Sequence, residues 1–312
     1  MELRRAGRSG LLVSSLGLGT LTWGRDTDEH EAAEQLSLFL DAGGTLIDTA
    51  ASYGDGAAEA LLGSLLAEVD RRDVVLCSKA GVRRTSRGNR LDASRTTLLD
   101  TLDETLAALG TDHLDLWLVQ SHDPEVPVEE TLSALRHAVA TGRTRYAGLS
   151  NHPAWYLGYA AASLDADATG LAAVEVEYSL LERGVEHEVL PGAEALGTGV
   201  LAWSPLGRGV LTGKYRSTIP ADSRAASPHL RGFVEPYLTD RSRGIVEAVA
   251  TAADGLGRTP LEVALAWVRD APGVSSAIVG ARTATQLRGV LAGTDLELPG
   301  AIRRALDDVS AE

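Results

Sequence analysis

The sequence predicts an α/β chain of eight strand–helix units closed into a (β/α)8 barrel. Three observations carry that prediction. Eight short apolar runs recur along the chain, each followed by an amphipathic stretch. The runs are continuously apolar, which suits strands covered on both faces, as in a parallel sheet. The alternative, an open doubly wound sheet, usually carries a glycine fingerprint after its first strand; here Gly17-Leu-Gly19 is followed by Thr22, and the fingerprint fails.

In chain order, Met1–Val13 reads as a hairpin with its turn near Arg8–Gly10, outside the eightfold pattern. The first barrel strand is Leu16–Leu18. Thr27–Leu40 follows as a helix, acidic at its start, with Ala32, Leu36, Phe39 and Leu40 on one side. Thr45–Ile47 and Val74–Cys77 are the second and third strands. Asp92–Leu109 places Leu98, Leu102, Thr105, Leu106 and Leu109 at helical spacing, and Gly110 stops it. Leu114–Val119 is the fourth strand, and Val128–Ala140 a helix bearing Leu132, Leu135 and Val139 ahead of Gly142. Arg145–Leu149 is the fifth, and Pro153 stands where a first helical turn begins. Ala173–Val176 and Val200–Trp203 are the sixth and seventh. A long segment rich in Gly, Pro, Ser and Arg, Leu206–Thr239, then interrupts the pattern; insertions of that length are often lids or binding loops. Thr259-Pro260-Leu261-Glu262 supplies an N-cap and a proline at the first helical position, and Ser275–Val279 is the eighth strand. The whole reads as one domain, residues 1–312: a TIM-type barrel with an N-terminal hairpin and a long loop after strand seven.

Composition narrows the function. The formal net charge is −14 over 312 residues, with 44% hydrophobic and 23% charged residues. That field repels polyphosphate and anionic membrane, so neither nucleic acid nor membrane is an expected partner; one phosphate-bearing small molecule in a locally basic pocket remains compatible. Cys77 is the single cysteine, which excludes an intrachain disulfide and a multi-thiolate zinc site. The start, MELRRAGRSG, has no apolar core of a signal peptide, and no run of about 18 apolar residues occurs. A cytoplasmic monomer is the expectation. No metal is expected either: a barrel hydrolase would want clustered histidines, such as His-x-His on the first strand. Only two cations are lysines, Lys79 and Lys214, so each draws attention.

In such a barrel, chemistry sits where strands end. Strand two runs into Asp48 and then Tyr53, strand three ends at Lys79, and strand four leads to His122. These four converge on one mouth. Tyrosine is a weak acid, and a neighbouring ammonium favours its phenolate. A carboxylate holds the ammonium, and a neutral imidazole can bond a substrate oxygen. The set suits proton delivery to a carbonyl oxygen that gains charge as hydride reaches carbon. The hydride itself has to come from a cofactor.

Across essentially its whole length the sequence resembles the aldo-keto reductases. The matching stretches are LGLGTLTWG, LIDTAASYG, LCSKAG, VQSHDP, YAGLSN, VEYSLLER, LAWSPLGRGVLTGKY and IVGARTATQL. The resemblance implies NADPH-dependent reduction of an aldehyde or ketone to an alcohol. It implies that Tyr53 is the proton donor, that Lys79 lowers its pKa, that Asp48 pairs with Lys79, and that His122 orients the carbonyl. Members that reduce activated C=C bonds carry glutamate in place of this histidine, so His122 favours C=O reduction. For NADP(H) the resemblance implies Ser150 and Asn151 on the carboxamide and Trp203 stacked on the nicotinamide. Ser204, Leu206 and Gly207, with Arg208 and Lys214, would line the pyrophosphate. Arg282 would meet the 2′-phosphate beside a helix N-terminus. Thr20, Pro205, Gly280 and Gln286 complete the cofactor set. Glu175 joins it with a departure, because the family usually has glutamine there. A second departure is Gly289-Val290, where a Glu-Asn pair often grips adenine, so a looser hold is expected. Trp23 is a candidate wall of the substrate pocket. The arginines at 83, 84, 87 and 90 form either a solvated, flexible basic loop or an attractor for anionic substrates, and Arg216 with Arg208 would lie near the cofactor phosphates. The same superfamily includes channel β-subunits that keep the four residues, so an NADP(H)-binding regulatory subunit is the competing reading.

Overall fold

The computed structural model describes residues 1–85, 88–165, 170–221, 223–228 and 230–311. Two short strands, β1 (Leu3–Arg5) and β2 (Leu12–Ser14), form the N-terminal hairpin. Eight parallel strands close the barrel: β3 (Leu16–Gly19), β4 (Leu46–Asp48), β5 (Val75–Ala80), β8 (Leu114–Val119), β9 (Thr144–Ser150), β10 (Ala173–Glu177), β11 (Gly199–Trp203) and β12 (Val274–Val279). Between β5 and β8, β6 (Val82–Thr85) and β7 (Gly88–Leu91) pair as an antiparallel hairpin. The arginine-bearing loop takes the form of this hairpin, on which Arg83 and Arg90 are exposed, as the solvated reading expects; position 87 lies outside the described residues.

Helices α1 (Glu29–Asp41), α2 (Ala57–Leu66), α3 (Arg95–Leu109), α4 (Val128–Ala140), α5 (Ala154–Asp165), α6 (Val189–Leu196), α7 (Arg231–Val234), α8 (Asp240–Leu256), α9 (Pro260–Arg269), α10 (Ala284–Leu291) and α11 (Gly300–Ser310) complete the order. Their ends follow local chemistry. Asp28 caps α1 by accepting from the Glu31 N–H at 3.0 Å, and Gly110, at φ 65°, ends α3. Thr259 and Glu262 form a reciprocal capping box on α9.

Two apolar cores result. One lies inside the barrel, built from Leu46, Cys77, Leu116, Leu118, Leu201 and Ile278, and joined by Ala6, Leu11 and Val13 of the hairpin. The Ser275 hydroxyl donates to the Arg5 carbonyl, and the Ser14 N–H to Thr45, so the hairpin covers the rim where strands begin. The other core lies between barrel and helices. The opposite rim, where strands end, is left open for chemistry. Among the described residues no helix is long and apolar enough to cross a membrane.

Candidate active site

Side chains alternate along a strand. On β5 this sends Ser78 outward, where its hydroxyl donates to Glu59 on α2 at 2.6 Å, and sends Cys77 and Lys79 inward. Asp48, the last residue of β4, pairs in register with Cys77. The Lys79 ammonium therefore reaches the Asp48 carboxylate at 2.6 Å and the Thr49 carbonyl at 3.0 Å. Tyr53 stands in a tight turn, Tyr53–Gly56, its N–H held by the Ala50 carbonyl at 2.9 Å. That turn brings its hydroxyl to 3.5 Å from Lys79 Nζ. A third acid comes from across the barrel: Glu175 on β10 places Oε2 3.3 Å from the same ammonium.

Burial governs the protonation of this group. Burial raises the Tyr53 phenol above its ordinary value; Lys79 opposes the rise, while Asp48 and Glu175 reinforce it. The simple expectation of an acidified phenol is corrected accordingly: Lys79 pulls in the expected direction, but burial outweighs it, and the phenol keeps its proton at neutral pH. For Lys79, burial works against the charge, yet Asp48 and Glu175 hold the ammonium well above its ordinary range. Burial and the neighbouring Asp48 push the Glu175 carboxyl up to about 8, against the pull of Lys79. Burial likewise raises the Cys77 thiol, so it stays a neutral core group. Asp48, Cys77 and Glu175 bring possible metal ligands within 4.8 Å of one another, but the ammonium bonded there already supplies the countercharge.

A cleft of about 490 Å³ opens above the group. Tyr53, Lys79, Ser150, Asn151, Glu175 and Trp203 line it, as do Ser204, Pro205, Leu206, Arg208, Lys214, Gly280, Arg282 and Gln286. The amide of Asn151 is locked in place, donating to the Gln120 carbonyl at 3.0 Å and accepting from the Trp203 indole at 3.0 Å. Among the described residues, four besides glycine have positive φ: Asp55, Asn151, Ser204 and Arg208. Asn151, Ser204 and Arg208 line the cleft and Asp55 lies in the Tyr53 turn, so the strained backbone gathers at the barrel mouth.

Several expected residues lie outside the cleft lining or are held by other partners. Trp23 is fully buried, donates its indole N–H to Gln35 at 3.3 Å, and lies outside the cleft lining, because its side chain packs in the outer core. Thr20 is also buried outside the lining; its N–H and hydroxyl both bond the Asp48 carbonyl, which steadies the strand end carrying Asp48. Gly207 is buried behind the lining residues beside it. Arg216 pairs with the exposed Glu247 rather than facing the cleft. His122 is half-buried in an aromatic cluster with His152, Trp155 and Tyr156, with no place among the lining residues. Arg208 lines the cleft but is held bidentately by Glu177, at 2.5 and 2.8 Å, and its guanidinium lies 3.9 Å over the Phe233 ring.

Sequence reasoning missed Gly19, Leu21, Gln120, Arg224, Phe233 and Thr285, all of which line the cleft. Arg224 and Phe233 come from the 206–239 insertion, whose side chains carry no periodic signal. Arg224 donates to the Gly280 carbonyl at 2.9 Å; burial, with the like charge of Arg282 adding to it, pulls its pKa down. Besides Lys79 on its floor, the cleft is lined by four further cations, Arg208, Lys214, Arg224 and Arg282, in a chain of net charge −14. A crowded, partly desolvated pair of guanidiniums fits a phosphate ligand.

Residues 15–310 match the sequence model of the aldo/keto reductase family. The chain belongs to this family. It is 35% identical to the uncharacterized oxidoreductase YrpG of Bacillus subtilis, over 99% of this chain and 96% of that one. It is 30% identical to the aldo-keto reductase YhdN of the same bacterium, over 93% and 88%. It is also 32% identical to a probable voltage-gated potassium channel subunit beta of Arabidopsis thaliana, over 95% and 92%. Family and geometry agree. This aldo/keto reductase has the barrel and the Asp48–Lys79–Tyr53 arrangement of the family's oxidoreductase chemistry, and its family membership implies NADP(H) as the cofactor.

Proposed function

We propose that this aldo/keto reductase reduces the carbonyl of a small aldehyde or ketone to an alcohol, with Tyr53 as proton donor. The observation that carries the reading is the Tyr53 hydroxyl 3.5 Å from an ammonium that is itself anchored to Asp48 at 2.6 Å. NADPH, when bound, supplies the hydride. The residues of this chain do the rest. The protonated phenol donates to the carbonyl oxygen as negative charge develops there. The charge then passing to the phenolate is stabilised by Lys79 in a site of low polarity, where such stabilisation is strongest. Asp48 keeps Lys79 charged and oriented. From its aromatic cluster after β8, His122 would offer an imidazole N–H to the substrate oxygen. Ser150 and Asn151 would hold the carboxamide, Trp203 would cover the ring, and Arg282, Arg224 and Lys214 would take the phosphates, since all of them line the cleft. Gln286, whose side chain accepts from the Arg282 N–H at 3.0 Å, steadies that turn.

The reading includes a single barrel domain that acts as a monomer. It also includes a cytoplasmic setting, which the lone buried thiol of Cys77 suits. The test is NADPH consumption across a panel of aldehydes and ketones, with Tyr53→Phe as control. The variant is expected to bind NADPH and lose most turnover; retained turnover refutes the role of Tyr53. The similarity to a plant channel subunit supports a second reading, an NADP(H)-binding regulatory subunit. NADPH binding with no turnover on any member of the panel would favour it.

A further inference from the structure

Two carboxylates and one ammonium share the floor of the cleft. Asp48 makes the short bond to Lys79, at 2.6 Å. Glu175 is the looser partner: Oε2 stands 3.3 Å from Lys79 Nζ and accepts no hydrogen bond of good geometry. Its side chain is 3% exposed, yet it lines the cleft beside Ser150, its register partner on β9. The Glu175 carbonyl also accepts the Asn151 N–H at 2.9 Å, so this strand segment is fixed against the carboxamide site.

The neighbours leave Glu175 as the variable charge. Lys79 and Cys77 face it from β5, Asp48 from β4, and Tyr53 from the turn after β4; β9 and β11 bring only the uncharged Ser150 and Leu201 into register with it. Lys79 stays cationic, and the phenol and thiol stay neutral, through the neutral pH range. With Glu175 protonated, the Asp48–Lys79 pair sums to zero. With Glu175 ionised, the floor carries one net negative charge in a site where charges are poorly screened.

The nicotinamide ring differs between its two forms by one positive charge. Resting on the NADP(H) reading above, we propose that Glu175 is a specificity-determining residue for the redox state of the cofactor: ionised, it favours the cationic ring of NADP+, and protonated, it favours the neutral ring of NADPH. Binding NADP+ therefore expels a proton from Glu175, and binding NADPH does not. No covalent step is involved; the proton passes to solvent.

The test is the pair of dissociation constants for NADP+ and NADPH, measured by protein fluorescence quenching between pH 6 and 8.5. Their ratio is the quantity read, because protonation of the 2′-phosphate, common to both nucleotides, cancels in it. In the wild type NADP+ is expected to gain on NADPH by about tenfold across this range, since each unit of pKa difference between the two complexes is tenfold in affinity. In Glu175→Gln, which keeps the shape and removes the charge, the ratio is expected to be independent of pH. A pH-independent ratio in the wild type overturns the proposal, and so does a variant that keeps the wild-type slope. Calorimetry on the wild type alone, at pH 7 in two buffers of different ionisation enthalpy, gives a second measurement that needs no variant. More protons released with NADP+ than with NADPH supports the proposal, because release from the 2′-phosphate is common to both; equal release overturns it. Failure of both nucleotides to bind removes the cofactor reading itself and the proposal with it, an outcome distinct from binding without pH dependence.

Discussion

Glu175 also makes a prediction about the empty protein. In the unfolded chain its carboxyl titrates near 4.5, and in the folded site it is pushed up to about 8 by burial and by Asp48. The folded form therefore binds a proton that the unfolded form has released, and stability falls as pH rises through that window. Below about pH 4.5 both forms are protonated and Glu175 costs nothing; above about pH 8 the full penalty is present. The slope between them is about 1.4 kcal/mol per pH unit, so the whole span amounts to a few kcal/mol, on the order of 3–5. Glu175→Gln removes this titration while leaving every other titrating group in place. The assay is urea unfolding of both proteins at half-unit steps from pH 5 to 8.5. The variant is expected to gain on the wild type steadily across the range, by about 3 kcal/mol between pH 5.5 and 8. The difference is the decisive quantity, since the seven histidines titrate in both proteins and cancel. A difference that stays constant with pH refutes the reasoning, because it would mean that Glu175 is ionised throughout and that Lys79 neutralises it fully.

Three further outcomes are expected. Tyr53→Phe lowers kcat by about 10² to 10⁴-fold, the usual range for a lost proton donor, while the NADPH dissociation constant by fluorescence stays within about twofold. Arg282→Ala weakens NADPH about 10- to 100-fold and leaves NADH nearly unchanged in the same titration, because only NADPH carries the 2′-phosphate; equal losses for both nucleotides would place Arg282 elsewhere. Thr259→Ala opens the capping box of α9 and lowers unfolding stability by about 0.5–2 kcal/mol in urea, with no change in cofactor affinity.

Much of the architecture was legible because its signals are local. Each of the eight apolar runs became a barrel strand, with bounds shifted by at most a few residues, and Thr259, Gly110 and Pro153 marked helix ends where they were expected. Strand-end position also located Asp48, Tyr53 and Lys79, since a parallel barrel gathers all such ends at one rim. Strand-end position carries no information on depth or on the partner across the barrel. Closure of the barrel brought Glu175 to an ammonium 96 residues earlier in the chain and gave that ammonium two acids. Packing took Trp23 into the outer core and His122 into an aromatic cluster, choices made by volume and contact rather than by residue type. The 206–239 segment has no period to read, so Arg224 and Phe233 entered the cleft unannounced. The sequence by itself determined the elements, their order and the rim where they end, because hydrogen bonding and amphipathicity act over a few residues. Only the tertiary structure decided the charge state at the floor of the cleft, because desolvation and Coulomb energy depend on distances that close when distant strands meet.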